Sequence, residues 1–210
     1  MNQTEFFAKW SALHGNAEIK GIVKSWLKIS YGSAKFISLL RITPNLLTFL
    51  GIVFAIAMAA NPLSIWTIPL LVLSLYADGI DGSVAIYQNR TSNFGAILDS
   101  VADRISEALW FYVAYRIGAP AWLVIITYVI ASTQEYARAR LGGLGIQDVG
   151  VVTPAERPVR ASFIFIALVA YAIDLNLVAW VMSALGALQV FSFYLVGRWA
   201  YNCLRNNFSA

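Results

Sequence analysis

Long apolar runs set the first limit on what this chain can become. Six stretches, at about residues 46–60, 63–87, 94–115, 119–137, 159–173 and 177–197, are rich enough in apolar side chains to be read as membrane spans. A helix needs roughly 20 such residues to cross a ~30 Å hydrocarbon layer. The first and fifth are short, so tilt or local thinning of the bilayer has to make up the difference. Composition agrees, with 59% apolar and 12% charged residues, against about 25% charged in an ordinary soluble domain. A water-soluble globular protein is thereby excluded, and disorder would need the opposite balance. Cys203 is the single cysteine, which excludes a disulfide-stapled scaffold. The ~10-residue alternation of a membrane β-barrel is missing. The chain is expected to be an all-α polytopic membrane protein with six transmembrane helices.

The charges then give an orientation. Of 15 basic residues, 13 fall before the first stretch, in alternate loops or in the C-terminal tail, leaving Arg116 on the other side and Arg104 inside the third stretch. Basic residues near span ends mark the cytoplasmic face, so both termini are expected there. The excess of 15 basic over 11 acidic residues is thus a topology signal and implies no nucleic-acid partner. No uninterrupted apolar core follows Met1, so a cleavable signal is not expected. Residues 18–37 read as an amphipathic juxtamembrane helix, with Ile19, Ile22, Val23, Trp26 and Leu27 on one face and Lys20, Lys24 and Lys28 on another. A basic flank that only fixes topology gives the same pattern. The division that follows is an N-terminal cytoplasmic or interfacial segment, 1–42, and a six-helix membrane domain, 43–210. The longest cytoplasmic loop, about 138–157, is glycine-rich at Gly142, Gly143, Gly145 and Gly150.

Ionisable side chains inside spans are expensive and mark function by default. Asp78, Asp81, Asp99 and Asp103 lie in or beside two consecutive apolar stretches, within 26 of the 210 positions. Asp78 and Asp81 are three apart, Asp99 and Asp103 four apart, so each pair shares a helix face. The intervening hairpin centres near Arg90, which puts Asp81 and Asp99 at a similar depth. At 1.5 Å per residue that depth is about 10 Å inside the cytoplasmic boundary. Four carboxylates there need neutralising, and one arginine cannot do it by structural pairing alone. An oxygen-only donor set favours Mg²⁺, Mn²⁺ or Ca²⁺ over zinc. Asp78-Gly79-Ile80-Asp81-Gly82 lacks the other ligands of an EF-hand and sits in an apolar run, so that reading fails.

The segment DGIDGSVAIYQNRTSNFGAILDSVAD, residues 78–103, resembles the signature of the CDP-alcohol phosphotransferase family. That signature reads D-x-x-D-G-x-x-A-R, eight or nine residues, then G-x-x-x-D-x-x-x-D. Asp78, Asp81, Gly82, Ala85, Gly95, Asp99 and Asp103 match it, and Pro44-Asn45 resembles the family's start of span one. The resemblance implies six spans and a homodimer. It also implies transfer of a phosphatidyl group from CDP-diacylglycerol to the hydroxyl of a polar alcohol, such as inositol phosphate or glycerol phosphate, releasing CMP. By the same resemblance Asp78, Asp81, Asp99 and Asp103 hold divalent cations, Mg²⁺ or Mn²⁺ and two in number, and Asp103 is the catalytic base. Asn45, Thr48, Gly82, Ala85, Arg90 and Gly95 are expected around the CDP moiety. One position departs: the family's arginine is Ile86 here. Either Arg90, one helical turn on, substitutes for it, or the branch has altered activity.

A second basic group, Arg138, Arg140, Arg157 and Arg160, flanks the loop between spans four and five. Arginine binds phosphate through a planar fork, and Glu156-Arg157-Pro158 resembles a stretch of members that use a phosphorylated polyol. These four are candidates for the acceptor phosphate, with positive-inside flanking as the plainer account. His14 is expected to be an exposed surface residue. Glu107 either extends the polar site or pairs with Arg104, three residues away. Competing functions are head-group transfer from a CDP-alcohol to diacylglycerol, metal or ion transport through the aspartates, and a non-catalytic relative. Transport is disfavoured because the acids sit on one hairpin instead of several broken helices. The expected setting is a bacterial cell membrane with the site facing the cytoplasm.

Overall fold

The computed structural model describes residues 1–145 and 151–208, so Gly150 of the glycine-rich loop lies outside the described residues. Eight helices and no strands occur among them: α1 Gln3–Leu13, α2 Gly21–Leu39, α3 Pro44–Ala60, α4 Thr67–Tyr87, α5 Asn93–Arg116, α6 Ala121–Gly143, α7 Arg157–Ala172 and α8 Val178–Phe208. The six apolar stretches correspond to α3 to α8. By length and apolar composition, α4 and residues 178–205 of α8 are each sufficient to cross a membrane, and α2 with α3 makes a third if that bent pair is one broken span. The shortfall from six has visible causes. The 17 residues of α3 and 16 of α7 are short, and α5 and α6 carry charges within their length.

Local sequence explains where the helices begin. At α1, Asn2 Oδ1 accepts the Glu5 N–H (2.9 Å) and Glu5 Oε2 accepts the Asn2 N–H (3.1 Å), a reciprocal capping box. The α2 and α3 axes differ by 103° across a break at residues 40–43, where Arg41 adopts φ 58° and Pro44 opens the next helix. Thr43 Oγ1 accepts the Leu46 N–H at 3.3 Å. The ends differ from expectation at α6 and α8, which run six and eleven residues past the predicted spans. No proline interrupts either extension, and the glycines at 142, 143 and 145 stop only the first.

The chain divides into two compact units. One comprises residues 1–57 and 69–106, the other 58–68 and 107–210. In the first, Ala34, Ile37, Leu47, Ala77, Ile80 and Val84 form a buried core. Leu27, Ser30, Ala34 and Ile37 are the buried stripe of α2, while Lys24, Lys28 and Lys35 are exposed. Of the expected apolar face, Leu27 is buried, Val23 and Trp26 are exposed, and the Ile22 side chain is outside the description. Gln88, at the end of α4, donates to the Ile42 carbonyl (2.7 Å) and Ser38 Oγ (3.2 Å), holding the α2–α3 elbow beside it. Further along, Ser74 Oγ donates to the Gly51 carbonyl at 2.8 Å. A Cβ on Gly51 would meet the Ser74 carbonyl at 3.4 Å, so glycine permits this close approach of α3 and α4. In the second unit, α8 packs against α6 and α7. Gln189 donates to Gln134 Oε1 (2.8 Å) and Ser192 Oγ accepts the Ala155 N–H (3.0 Å), both from buried positions on α8.

Candidate active site

The predicted acids lie in the first unit, where the last turns of α4 face the first turns of α5. Helical spacing presents Asp78 from α4 and Asp99 and Asp103 from α5 on neighbouring faces. One carboxylate oxygen from each lies within 4.8 Å of the other two. Three half-buried oxygen donors so spaced fit a hard divalent cation. Asp81 behaves differently. It is 6% exposed, Oδ2 accepts from Thr48 Oγ1, and Oδ1 accepts the Gly82 N–H. Thr48 Oγ1 also lies 3.2 Å from the Pro44 carbonyl one turn back, so α3 and α4 fix this acid between them. Asp103 Oδ2 also has Arg104 Nη2 at 3.7 Å.

Beside the cluster opens a cavity of about 380 Å³, within the size range of small-molecule sites. Asp78, Asp81 and Asp99 line it, together with all six residues expected around CDP: Asn45, Thr48, Gly82, Ala85, Arg90 and Gly95. Two glycines have steric reasons for being there. A Cβ on Gly95 would lie 3.2 Å from Ser92 Oγ and 3.6 Å from Asn45 Oδ1, while one on Gly82 would meet nothing within 4 Å. Gly95 therefore lets the start of α5 approach the start of α3, and Gly82 leaves the wall open. Ser92 accepts the Gly95 N–H at 3.0 Å, so the residue that opens α5 also edges the cavity. Ile86 and Arg90 both line it, the first 5% exposed and the second exposed.

Trp10, Leu13, His14 and Trp26 are cavity residues that the sequence reading did not assign. His14 is exposed, as expected, but on a wall of the site. The available signal was the Asn2-x-x-Glu5 capping box, which announces a helix, followed by aromatic rings at positions 10 and 14 on one face.

The arginines of the acceptor expectation belong to the second unit, and they differ among themselves. Arg138 forks onto Glu156, Nη1 to Oε2 at 2.8 Å and Nη2 to Oε1 at 2.7 Å, and Nη2 also reaches the Val151 carbonyl at 2.9 Å. Burial alone would raise the Glu156 carboxyl, but hydrogen bonds from Arg138 and Thr153 outweigh it and hold the pKa at about 2. Arg160 is wholly buried. It donates from Nε to Glu107 Oε1 at 2.5 Å, from Nη1 to the Ala155 carbonyl at 2.6 Å and from Nη2 to Glu135 Oε1 at 3.3 Å. Arg157 lies over the Trp110 ring, 5.1 Å from its centroid, and Arg140 is exposed near the end of α6. Glu107, whose spacing suggests Arg104, thus has Arg160 as a direct partner. That partner is 53 residues away, where local spacing has nothing to say.

Comparison with known proteins agrees with this geometry. The CDP-alcohol phosphatidyltransferase family matches residues 41–195. A phosphatidylinositol phosphate synthase of Corynebacterium glutamicum is 32% identical over 191 residues, covering 82% of each chain. An archaetidylinositol phosphate synthase of Aeropyrum pernix is 34% identical over 122 residues, covering 56% of this chain and 62% of that one. In fold, the chain resembles the crystal structure of Mycobacterium tuberculosis phosphatidylinositol phosphate synthase with CDP-DAG bound. The TM-score is 0.68 at 21% identity, over 83% of this chain and 94% of that one. The same Mycobacterium tuberculosis synthase in complex with manganese and citrate gives a TM-score of 0.61. With three-quarters of its length inside the family match and three of the four signature aspartates lining one cavity, this chain belongs to the CDP-alcohol phosphatidyltransferase family.

Proposed function

We propose that this enzyme moves the phosphatidyl group of CDP-diacylglycerol onto a hydroxyl of inositol phosphate and releases CMP. The observation that carries the reading is a cluster of Asp78, Asp99 and Asp103 whose first two members, with Asp81, line a cavity shared with the six residues of the expected CDP site. The inositol phosphate acceptor is supported by the names of the relatives, which include phosphatidylinositol phosphate and archaetidylinositol phosphate synthases.

In this proposal Asp78, Asp99 and Asp103 hold Mg²⁺ or Mn²⁺, with Asp81 completing a site for two ions. Such ions supply positive charge to the pyrophosphate oxygens as the bond to CMP breaks. Thr48 orients Asp81, and Asn45, Gly82, Ala85 and Gly95 shape the space for the nucleotide, with Arg90 as its cationic neighbour. The acceptor hydroxyl oxygen forms the new bond to phosphorus while its proton passes to Asp103. Arg140 and Arg157 give the acceptor phosphate a positive field, whereas the charge of Arg138 is balanced by Glu156. Arg160, without exposed surface, acts through its neighbours by fixing Ala155, Glu107 and Glu135.

The membrane part of the proposal is six spans, α3 to α8, in a bacterial cell membrane, with α2 along the interface and the site and both termini cytoplasmic. The distribution of 13 of 15 basic residues supports it. A homodimer completes it.

The test is CMP release by purified protein in nanodiscs with CDP-diacylglycerol, Mn²⁺ and a panel of alcohols. Inositol phosphate should support turnover, and folded protein that releases no CMP with any acceptor overturns the assignment. Asp103→Asn should abolish turnover while part of the stabilisation by Mn²⁺ persists through Asp78 and Asp99; surviving turnover removes Asp103 as the base.

A further inference from the structure

The residues before position 41 lie outside the family match, yet they build one wall of the cavity. The seat of α1 explains the departure at Ile86. Phe6, Leu27 and Ile86 form one buried apolar cluster, each 5% exposed or less. An arginine at position 86 would put a charge into that cluster, at a large desolvation penalty. Around it, the Tyr31 ring lies 5.6 Å from Phe6 and 5.8 Å from Tyr87, and its hydroxyl donates to the Met1 carbonyl at 3.2 Å. Lys9 Nζ donates to Asn89 Oδ1 just beyond the end of α4. These contacts fix α1 against the α4 terminus that carries Asp78 and Asp81.

One turn past this seat, Trp10 and His14 stack with ring centroids 4.1 Å apart and planes 17° from parallel. His14 Nδ1 lies 2.8 Å from the Trp10 carbonyl, which holds the imidazole over the indole. Both rings line the cavity that Asp78, Asp81 and Asp99 also line. Aromatic faces and a cation-binding cluster along one cavity suit a ligand with a flat heterocycle at one end and phosphates at the other. Stacking on aromatic rings is a general way to hold a nucleobase.

We infer that α1 is a donor-site element of this chain. Trp10 and His14 form the wall against which the cytosine of the CDP donor stacks, and Ile86 is the contact on which the helix is seated. The inference rests on the proposed reaction for the identity of the donor. It assigns the nucleotide to a helix outside the family match and accounts for the isoleucine as part of that helix's docking.

Two measurements on full-length protein in nanodiscs test it: CDP binding by titration calorimetry with Mn²⁺ present, and the KM for CDP-diacylglycerol in CMP release. Trp10→Ala combined with His14→Ala should weaken CDP binding and raise the donor KM, each about tenfold, as expected for loss of a stacking platform. The acceptor KM should stay within twofold, and Trp10→Phe should keep most of the affinity. Ile86→Arg should lower CDP affinity in the same direction and expose the bond after Lys9 to trypsin. Unchanged CDP affinity in the folded double variant overturns the inference. So does a rise in donor KM without loss of CDP affinity, because the wall then serves the acyl chains. Wild-type protein that binds no CDP and releases no CMP overturns the functional reading beneath it, a result distinct from either of these.

Discussion

In the first unit Asp78, Asp99 and Asp103 bring carboxylates of one sign within 4.8 Å of one another, whereas in the second each of Glu107, Glu135 and Glu156 meets an arginine. The same kinds of side chain therefore serve opposite ends. Convergent like charges raise the energy of the folded state and gain their value when a cation binds. Matched opposite charges close a network from within, and burying it is tolerable because each carboxylate and guanidinium finds hydrogen bonds. The first arrangement is built to receive something. The second is built to hold the loop and helix starts around Ala155 and Glu156 in one geometry. Turnover should accordingly respond most to changes in the first unit, and stability to changes in the second.

The largest expected effect is on chemistry. Asp99→Asn should lower kcat by about a thousandfold or more, because it removes one oxygen donor from the cation cluster. The stabilisation that Mn²⁺ gives the folded protein should shrink with it. CMP release and a thermal shift with and without Mn²⁺ check this. A variant that loses stability without metal would mean that the aspartates hold the helices together.

Arg160→Met should do the reverse. It leaves Glu107 buried without this guanidinium and should cost about 3–5 kcal/mol of stability. Adding Glu107→Leu should restore most of that, because an apolar pair can replace a buried ion pair at little net cost. Unfolding of the single and double variants in the same detergent is the measurement. A single variant within about 1 kcal/mol of wild type would show an interaction no stronger than a surface salt bridge.

The two units also differ in how far they could be read from sequence. The aspartates were legible because ionisable residues are conspicuous in an apolar run, and spacings of three and four fix their faces. The helical class was legible for the same reason. The arginine network was not. Glu107 and Arg160 are 53 residues apart and Arg138 and Glu156 are 18 apart, so only tertiary packing brings them together. The seat of α1 was hidden likewise, because Phe6 finds its partner in Ile86 across the intervening helices, and a lone isoleucine reads as a missing arginine. Span number was only partly legible. Length and composition make α4 and α8 candidate spans, while α5 and α6 carry charged residues within their length and do not qualify by the same measure.

The Glu156 clamp adds a pH axis to the contrast. Its pKa is held at about 2 in the fold against 4.5 for a free carboxyl. The unfolded chain then binds the proton first as pH falls. The clamp's stabilisation is present above pH ~4.5 and fades as pH drops from there toward 2, by at most about 1.4 kcal/mol per pH unit. Glu156→Gln should lack this component. The difference in unfolding free energy between wild type and variant, followed from pH 6 to 3, isolates it from other acids that titrate in the same range. A constant difference would mean that Arg138 is not held through this carboxylate.

The smallest effects sharpen the comparison most, because a matched pair of mild substitutions lies outside both the acid cluster and the arginines. Asn2→Ala removes the cap of α1, worth about 1 kcal/mol to that helix. Thr153→Val removes the hydroxyl that donates to Glu156 Oε1 at 2.7 Å, worth about 1 kcal/mol net. The cap loss should be absorbed locally, as terminal helices open below the global transition. The thermal midpoint should then barely move while the donor KM rises about twofold, the wall of Trp10 and His14 being formed part of the time. The Thr153 change should appear in the midpoint and leave donor KM unaltered, because Glu156 belongs to a network within the second unit. If Asn2→Ala lowers the midpoint as much as Thr153→Val and leaves donor KM alone, α1 is part of the global fold and has no separate hold on the donor.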